Sequence, residues 1–222
     1  MRKLIAFTLV AILTFACQST NYENLTPIEK TKHNLIQNYI LFAKNCKKLD
    51  SLIQSKSEIK KSQNEFKKAR LHYKKTESFI ALYFPETSKS LNGAAIDKNN
   101  VHETSRKTEE ATGFQKVEEL LFAEEIDFEE LKKHIGILNG FAQTLKANLE
   151  NIQLSDSNIF EAQKLQMVRM MSLGISGFDS PIAQHSIPEA KATIESVSDV
   201  SATFSDDEKF VEIISKTKTY LD

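Results

Sequence analysis

Apolar residues recur every three or four positions over most of the chain, which is the spacing of amphipathic helices. The first such stretch opens at Thr26-Pro27-Ile28-Glu29, a capping box with proline at the first helical position. Strand-like alternation is nearly absent, and six glycines and four prolines leave few places to turn. The pattern predicts an all-α protein, an antiparallel bundle of about five to seven helices.

Further helices are predicted between short polar segments. They cover residues 58–84 (ended by Pro85), 114–123, 127–152 (capped by Asp127-x-x-Glu130), 158–173, and two C-terminal stretches that start at Ser186-x-x-Glu189 and Ser205-x-x-Glu208. The polar residues 85–112 predict turns and a surface loop, and residues 174–186 predict an ordered loop.

The N-terminus has the layout of a secretory signal. Arg2 and Lys3 precede an apolar run that is too short to span a bilayer of about 30 Å. Ala16 then stands directly before Cys17, as in a bacterial lipobox, where the thiol is acylated and the preceding peptide is removed. We therefore predict a lipidated Cys17; an ordinary cleaved signal that leaves Cys17 unmodified is the alternative.

The signal divides the chain into a leader at 1–16, a polar tether at 17–25 and one helical domain at 26–222. We expect the protein on the periplasmic side of the cell envelope, with the lipid anchor attaching it to a membrane. Removal of the leader takes away two basic residues and moves the formal charge from −1 to −3. A nucleic-acid partner is therefore not expected.

Motifs for enzyme chemistry are absent from the sequence. No CxxCH, P-loop or GxSxG string occurs, so we expect no haem on this chain and no enzyme activity. Cys46, the second of the two cysteines, lies in an apolar stretch and is predicted to be a buried thiol. The five histidines lack metal-binding spacing and are mostly placed on polar faces or loops. The basic run 60–75 is interpreted as a solvated face.

Ionisable side chains nevertheless fall on predicted core faces. Counting by three and four from Phe66 places Arg70, Tyr73 and Glu77 on one apolar stripe, and Glu118 shares a face with large apolar residues of the next helix. A charge on a core face is costly unless it is paired. Each of these groups therefore needs a partner inside the bundle.

Two interpretations of these charges stay open. In the first, Arg70 pairs with Glu77 or Glu118, Tyr73 donates a hydrogen bond to the other carboxylate, and the network only fixes the helix register. In the second, Glu77 and Glu118 converge with a third group to hold a metal cation or to bind a ligand; a site made only of carboxylates favours hard cations.

Two strings resemble the imelysin family of periplasmic helical proteins, FKKARLHYKKTE at 66–77 and GFQKVEELL at 113–121. Members of that family carry a GxHxxE motif on a bundle helix and are associated with iron uptake. Here Gly113 and Glu118 match the motif, but Gln115 stands in place of the histidine. Because an amide oxygen is a weak metal ligand, the resemblance implies a site without histidine ligation.

The candidate site consists of Glu77, Glu118, Arg70, Tyr73, Gln115 and Glu119, with Asp179 and Ser180 in a loop that closes over it. A longer resemblance runs from about residue 30 to the C-terminus. This resemblance is to the helical region that precedes di-haem cytochrome c peroxidase domains in Bacteroidetes-type bacteria. It rests on four strings: YFPET at 83–87, LNG at 91–93, GFQxxEELLF at 113–122 and LGISGFDSP at 173–181.

The resemblance implies an imelysin-like bundle with a di-haem peroxidase as a candidate partner. It leaves three hypotheses open: a non-enzymatic ligand-binding or docking module, a metal-binding protein of periplasmic iron uptake, and a truncated relative of the peroxidases that lacks their haem domains.

Overall fold

The computed structural model describes residues 22–99, 108–205 and 207–221, so the predicted leader and Cys17 lie outside the described residues. Within these ranges the chain forms α1 (Pro27–Gln54), α2 (Ile59–Lys74), α3 (Glu77–Tyr83), α4 (Pro85–Asn92), α5 (Phe114–Leu121), α6 (Phe128–Asn151), α7 (Asp156–Arg169), α8 (Ser186–Ser201) and α9 (Glu208–Tyr220). A 3₁₀ turn (Tyr22–Asn24) precedes α1. A two-residue antiparallel pair, β1 (Lys98–Asn99) and β2 (Thr108–Glu109), lies between α4 and α5.

The all-α helical bundle is confirmed, with nine helices in the described ranges instead of five to seven. No helix in those ranges is both long enough and apolar enough to cross a bilayer. The helix count was too low because short polar helices give a weak apolar periodicity, and α4 is one of these.

The core is built around α1, whose most extensive contacts are with α2 and α6. The predicted capping box starts this helix: Thr26 Oγ1 accepts the Glu29 N–H, and the Glu29 carboxylate accepts the Thr26 N–H at 2.8 Å. Tyr39 is fully buried and donates its hydroxyl to the Ala142 carbonyl of α6 at 2.7 Å. Cys46 is a buried free thiol, as predicted, and burial raises its pKa.

Aromatic rings fix α5 against the first two helices. Phe42 of α1, Tyr73 of α2 and Phe114 of α5 contact one another in a triangle, with ring centroids 5.2 to 5.9 Å apart. Offset and tilted contacts of this kind stabilise a core beyond the area that they bury. The triangle therefore helps to set the position of α5, and with it that of Glu118, relative to α1 and α2.

The predicted helix 58–84 is wrong in one respect, because it is broken into α2 and α3. Thr76 makes the break: its N–H and its hydroxyl both donate to the Tyr73 carbonyl, at 2.8 and 2.9 Å. Pro85 does end α3, but it also begins α4, where a loop was predicted. Proline suits a first helical position because the N–H that it lacks would have no partner there.

Gly113 is required by the close approach of α5 to α4. Its φ of +89° is rare for residues with a side chain, and a Cβ at this position would lie 2.3 Å from the Ser90 carbonyl oxygen. The neighbouring Thr112 hydroxyl donates to that same carbonyl at 3.1 Å. The glycine of the sequence motif thus has a steric role.

The predicted helix 158–173 is α-helical over Asp156–Arg169 and then continues as a π-helical turn at Met170–Gly174. The Ile175 N–H donates to the Met170 carbonyl at 2.8 Å, five residues back. Residues 175–185, called the site loop below, connect this turn to α8. A small apolar cluster joins the turn to α8 and α9 through Met170, Ala190, Ile194, Val197 and Ile214.

The predicted cap at Asp127 is confirmed, since its carboxylate accepts the N–H groups of Glu129 and Glu130. The predicted caps at Ser186 and Ser205 are wrong. Ser186 is already the first residue of α8, and Asp207 caps α9 by accepting the Phe210 N–H at 3.1 Å.

The aromatic triangle predicts a large loss of stability for Phe42→Ala. Phe42 is fully buried, so the cavity and the lost transfer energy should lower the free energy of unfolding by about 3–5 kcal/mol. The neighbouring Leu41 is 40% exposed, and Leu41→Ala should change stability by less than about 0.5 kcal/mol. Urea unfolding followed by circular dichroism measures both; similar losses would contradict this description of the core.

Candidate functional site

Arg70 of α2 is fully buried and pairs with Glu189 of α8. Its Nε and Nη2 donate to the two carboxylate oxygens at 2.5 and 2.7 Å, a bidentate arrangement. Nη1 donates to Asn92 Oδ1 at 3.2 Å, and Nη2 donates to the Asp179 carbonyl at 2.7 Å. The guanidinium also lies over the Phe114 ring, 5.1 Å from its centroid. One side chain therefore joins α2 to α4, α5, α8 and the site loop.

A second set of charges shares Asn92 and Asp179 with this pair. Lys74 Nζ donates to Glu77 Oε2 at 2.9 Å and to Asp179 Oδ2 at 2.5 Å. Glu77 Oε1 accepts from Arg169 Nη2 at 2.9 Å and from Asn92 Nδ2 at 3.1 Å, and Asn92 Nδ2 also donates to Asp179 Oδ1 at 3.2 Å. Both oxygens of Glu77 are therefore occupied by donors.

These pairings keep the buried groups charged. Burial raises the pKa of Glu189, but the charge of Arg70 together with the hydrogen bonds to the carboxylate outweighs burial and lowers that pKa to about 2. Burial likewise opposes ionisation of Glu77, yet the charges of Lys74 and Arg169 hold its pKa below the usual range. The pKa of Lys74 is raised, since adjacent carboxylates outweigh its burial. We call the ion pairs formed by Arg70, Lys74, Glu77, Arg169, Asp179 and Glu189 the charge network.

Glu118 of α5 holds the site loop by a different route. Its Oε1 accepts from the Ser180 hydroxyl at 3.1 Å and from the N–H groups of Ile182 and Ala183 at 3.1 and 2.5 Å. Ser180 Oγ in turn accepts the His185 N–H at 3.3 Å. A carboxylate that accepts several N–H groups is well stabilised without a cationic partner. Glu118 thus fixes the backbone of the loop.

On α5, two buried polar side-chain atoms have no hydrogen-bond partner among the described residues, Glu118 Oε2 and Gln115 Nε2. One is an acceptor and the other a donor, and both are buried. Unpartnered buried polar atoms are uncommon in native proteins and call for an explanation. A bound water molecule or a small polar ligand would supply the missing partner of each atom.

The structure brings most of the predicted site residues together, but with other partners than expected. Arg70 pairs with neither Glu77 nor Glu118, and the Tyr73 hydroxyl donates to no carboxylate. Glu119 points outward, where it faces Lys116 at 3.7 Å. The geometry therefore follows the first interpretation, a register-fixing network, with Glu189 in the place of the predicted carboxylates.

The predicted loop residues do reach the site: Asp179 binds Lys74, and Ser180 binds Glu118. Both side chains are buried. These contacts join the site loop to α2 and α5.

Sequence reasoning missed Lys74, Asn92, Arg169 and Glu189. Lys74 was assigned to a solvated face, although it follows Phe66 and Arg70 at intervals of four on the buried stripe. Glu189 was read as part of a helix cap, although it shares a buried face of α8 with Thr193 and Val197 at the same interval. The helical spacing therefore indicates burial for both residues, but the basic run around Lys74 and the cap pattern at Glu189 favoured exposed positions.

The family comparison covers most of these elements. The profile described as Imelysin (Peptidase M75) matches residues 43–176, from α1 to the beginning of the site loop. The chain belongs to the imelysin family. No curated protein sequence matches it. Asp179, Ser180 and Glu189 lie beyond the matched range, so the partners that close the site come from the part of the chain after it.

In this imelysin-family protein, the geometry argues against the second interpretation, a cation held jointly by Glu77 and Glu118. Donors occupy both oxygens of Glu77, and two of these donors are the cations Lys74 and Arg169. Only one oxygen of Glu118 is without a partner. A metal ion at this place would have to displace the ion pairs of Glu77.

A different group could hold a metal. One ligand atom from each of Glu110, Glu130 and His134 lies within 4.8 Å of the other two, and this is the one group of three or more such ligands among the described residues. His134 Nε2 is 3.0 Å from Glu130 Oε1 and 3.2 Å from Glu110 Oε1. The sequence analysis did not single out His134, which is fully buried instead of lying on a polar face.

The charge network predicts that Glu189→Gln strongly destabilises the protein. The variant leaves the Arg70 guanidinium buried with its main partner neutralised, which should cost about 3–5 kcal/mol of unfolding free energy. The exposed pair Glu212–Lys216, at 2.6 Å, is the control, and Glu212→Gln should cost less than about 1 kcal/mol. Equal losses in urea unfolding would contradict the central role of the buried pair.

The lowered pKa of Glu189 also predicts a pH dependence. Its pKa is about 2 in the folded chain against an ordinary value of 4.5, so this carboxylate contributes stability above pH 4.5 that is lost as the pH falls toward 2. The difference corresponds to about 3 kcal/mol. Unfolding free energies between pH 6 and pH 3 should fall less steeply for Glu189→Gln than for the native chain; parallel curves would contradict the assignment.

Proposed function

We propose that this protein is a lipid-anchored, non-enzymatic docking module on the periplasmic side of the cell envelope, and that the outer face of its site loop binds a di-haem cytochrome c peroxidase. The observation that carries the proposal is a loop with a charged, buried inner face and an apolar, exposed outer face.

The outer face consists of Ile175, Phe178, Pro181 and Ile182 of the site loop and Ile187 of α8; we call it the docking face. The four large side chains are 44–52% exposed. Ile175, Pro181 and Ile187 line a shallow groove of about 230 Å³. Single exposed apolar residues are ordinary, but several within one short segment are typical of an interaction surface.

The docking face is preorganised by the buried groups beneath it. Asp179 is bound through its carboxylate to Lys74 and through its carbonyl to Arg70, and Glu118 binds the next turn of the loop by three hydrogen bonds. A loop that is already ordered loses little conformational entropy when a partner binds. The charge network therefore favours docking without having to take part in chemistry itself.

The absence of enzymatic activity is part of the proposal for two reasons. The charged groups of the network are paired with one another, Arg70 with Glu189 and Lys74 with Glu77. They therefore stabilise the fold and are not available to bind or activate a substrate. The 222-residue sequence also contains no CxxCH string to attach a haem. In this proposal, the peroxidase chemistry comes from the haem domains of the partner.

The identity of the partner rests on the resemblance to helical regions that precede di-haem peroxidase domains. If such regions contact their haem domains when they are fused, the same surface can serve a separate polypeptide. The anchor at Cys17 would hold both at the membrane. A metal-binding role in iron uptake at Glu77 and Glu118 has less support, because the oxygens of Glu77 are already occupied.

Site-specific photo-crosslinking tests the docking face. A benzophenone side chain introduced at position 178 of the full chain, in cells of the source bacterium, should give a covalent adduct that stains for haem on a denaturing gel. The matched control is position 213 of α9, because Phe178 and Ile213 are both 52% exposed. Ile182→Asp should reduce the adduct severalfold, whereas Val211→Asp on α9 should leave it unchanged.

Three outcomes would refute the proposal: no haem-staining adduct from position 178, equal adducts from both positions, or adducts only to lipid. The last result would assign the docking face to the membrane surface. Mass spectrometry of the adduct distinguishes a lipid from a protein and identifies the attached cytochrome.

A further inference from the structure

We propose that Glu110, Glu130 and His134 form a binding site for a divalent transition-metal ion, for which Zn²⁺ is the test ion. This site is separate from the charge network and is independent of the docking proposal. Its ligands come from two segments, the stretch just after β2 and the first turns of α6.

Helix geometry brings two of the ligands to one face. Glu130 and His134 are four residues apart on α6, so their side chains lie on the same face of the helix, one turn apart. Glu110 approaches them from the β2 segment, whose position is fixed by the hydrogen bond from the Ala111 N–H to Asp97 Oδ1 at 2.9 Å. The three side chains therefore converge without any change in the backbone.

The distances match those of a metal site. His134 Nε2 lies 3.0 and 3.2 Å from the two glutamate oxygens. Zinc bonds to nitrogen and oxygen are about 2.0–2.2 Å long, so two ligands of a tetrahedral ion are about 3.3 Å apart. An imidazole nitrogen carries at most one proton and cannot fully satisfy two carboxylates at once. A cation between the three atoms would attract all of them.

The burial of His134 distinguishes this cluster from an ordinary group of exposed acidic residues. Its side chain is fully buried, and its Nδ1 has no hydrogen-bond partner among the described residues. The ring thus directs its one partnered nitrogen, Nε2, into the cluster. Because metal-binding histidines usually donate the other N–H to an acceptor, we expect about 10–100-fold weaker binding than in a fully supported site.

Lys133 is the counter-charge that a metal would replace. Its Nζ lies 2.7 Å from Glu110 Oε1 and 3.4 Å from Glu130 Oε1. The side chain is 46% exposed, so it can swing into solvent when a cation binds. Lys133→Met should therefore strengthen metal binding by removing the competing charge.

The donor set selects the class of ion. One imidazole nitrogen with two carboxylate oxygens suits zinc, iron or cobalt better than Ca²⁺ or Mg²⁺, which prefer oxygen ligands alone. Three protein ligands also leave room for water or for a group from a partner. Such a site would bind the β2 segment to α6.

Calorimetric titration of Zn²⁺ into the full chain, after chelator treatment, tests the proposal. One ion should bind per chain, and Glu110→Gln and His134→Gln should each weaken binding by more than about tenfold. Glu129→Gln is the matched control, since Glu129 lies on the same turn of α6 and pairs with Lys132 instead. Glu110 is exposed, so its variant should fold normally even where the His134 variant does not.

Titration with Co²⁺ gives an independent readout, because ligation by nitrogen and oxygen in a site of low symmetry produces visible absorption. Growth of this absorption in the native chain and its loss in Glu110→Gln would support the site. No zinc binding, binding that survives Glu110→Gln, or binding that is instead lost in Glu118→Gln would overturn it.

Discussion

The buried pair of Arg70 and Glu189 connects α2 to α8 and anchors the site loop between them. Removing two charges from water costs several kcal/mol each, and only excellent geometry recovers that cost. Here the guanidinium makes a bidentate contact with the carboxylate and adds bonds to Asn92 and to the Asp179 carbonyl. Helices that are far apart in sequence are thereby held in one register, and the site loop is drawn onto α2.

The site loop has a polar inner surface and an apolar outer surface because its polar side chains bind buried groups of α2 and α5. Asp179 and Ser180 face the charge network and Glu118, so their neighbours in sequence face solvent with apolar side chains. A segment of this kind exposes apolar area at a cost in solvation, and binding to a partner would recover it. The proposed docking role follows from this division between the two surfaces.

The motif of the imelysin family has a structural meaning in this chain. Gly113 allows α5 to approach α4, and Glu118 holds the loop through backbone N–H groups. Gln115 replaces the histidine and leaves a buried amide donor without a partner among the described residues. The charge network balances its ions internally, whereas the cluster at His134 has two carboxylates and a single lysine for balance. The excess of negative charge at the His134 cluster favours a bound cation there and not in the charge network.

Features that depend on residues at most four positions apart could be predicted from the sequence alone. These include the amphipathic helices, the caps at Thr26 and Asp127, and the inward direction of Arg70 and Glu118. Only the tertiary structure decided that Arg70 meets Glu189, 119 residues away, because several inward carboxylates satisfy the same local pattern and packing selects among them. The convergence of His134 with two glutamates also depends on tertiary packing. The spacing of residues along the chain does not specify that the segment after β2, which carries Glu110, packs against α6.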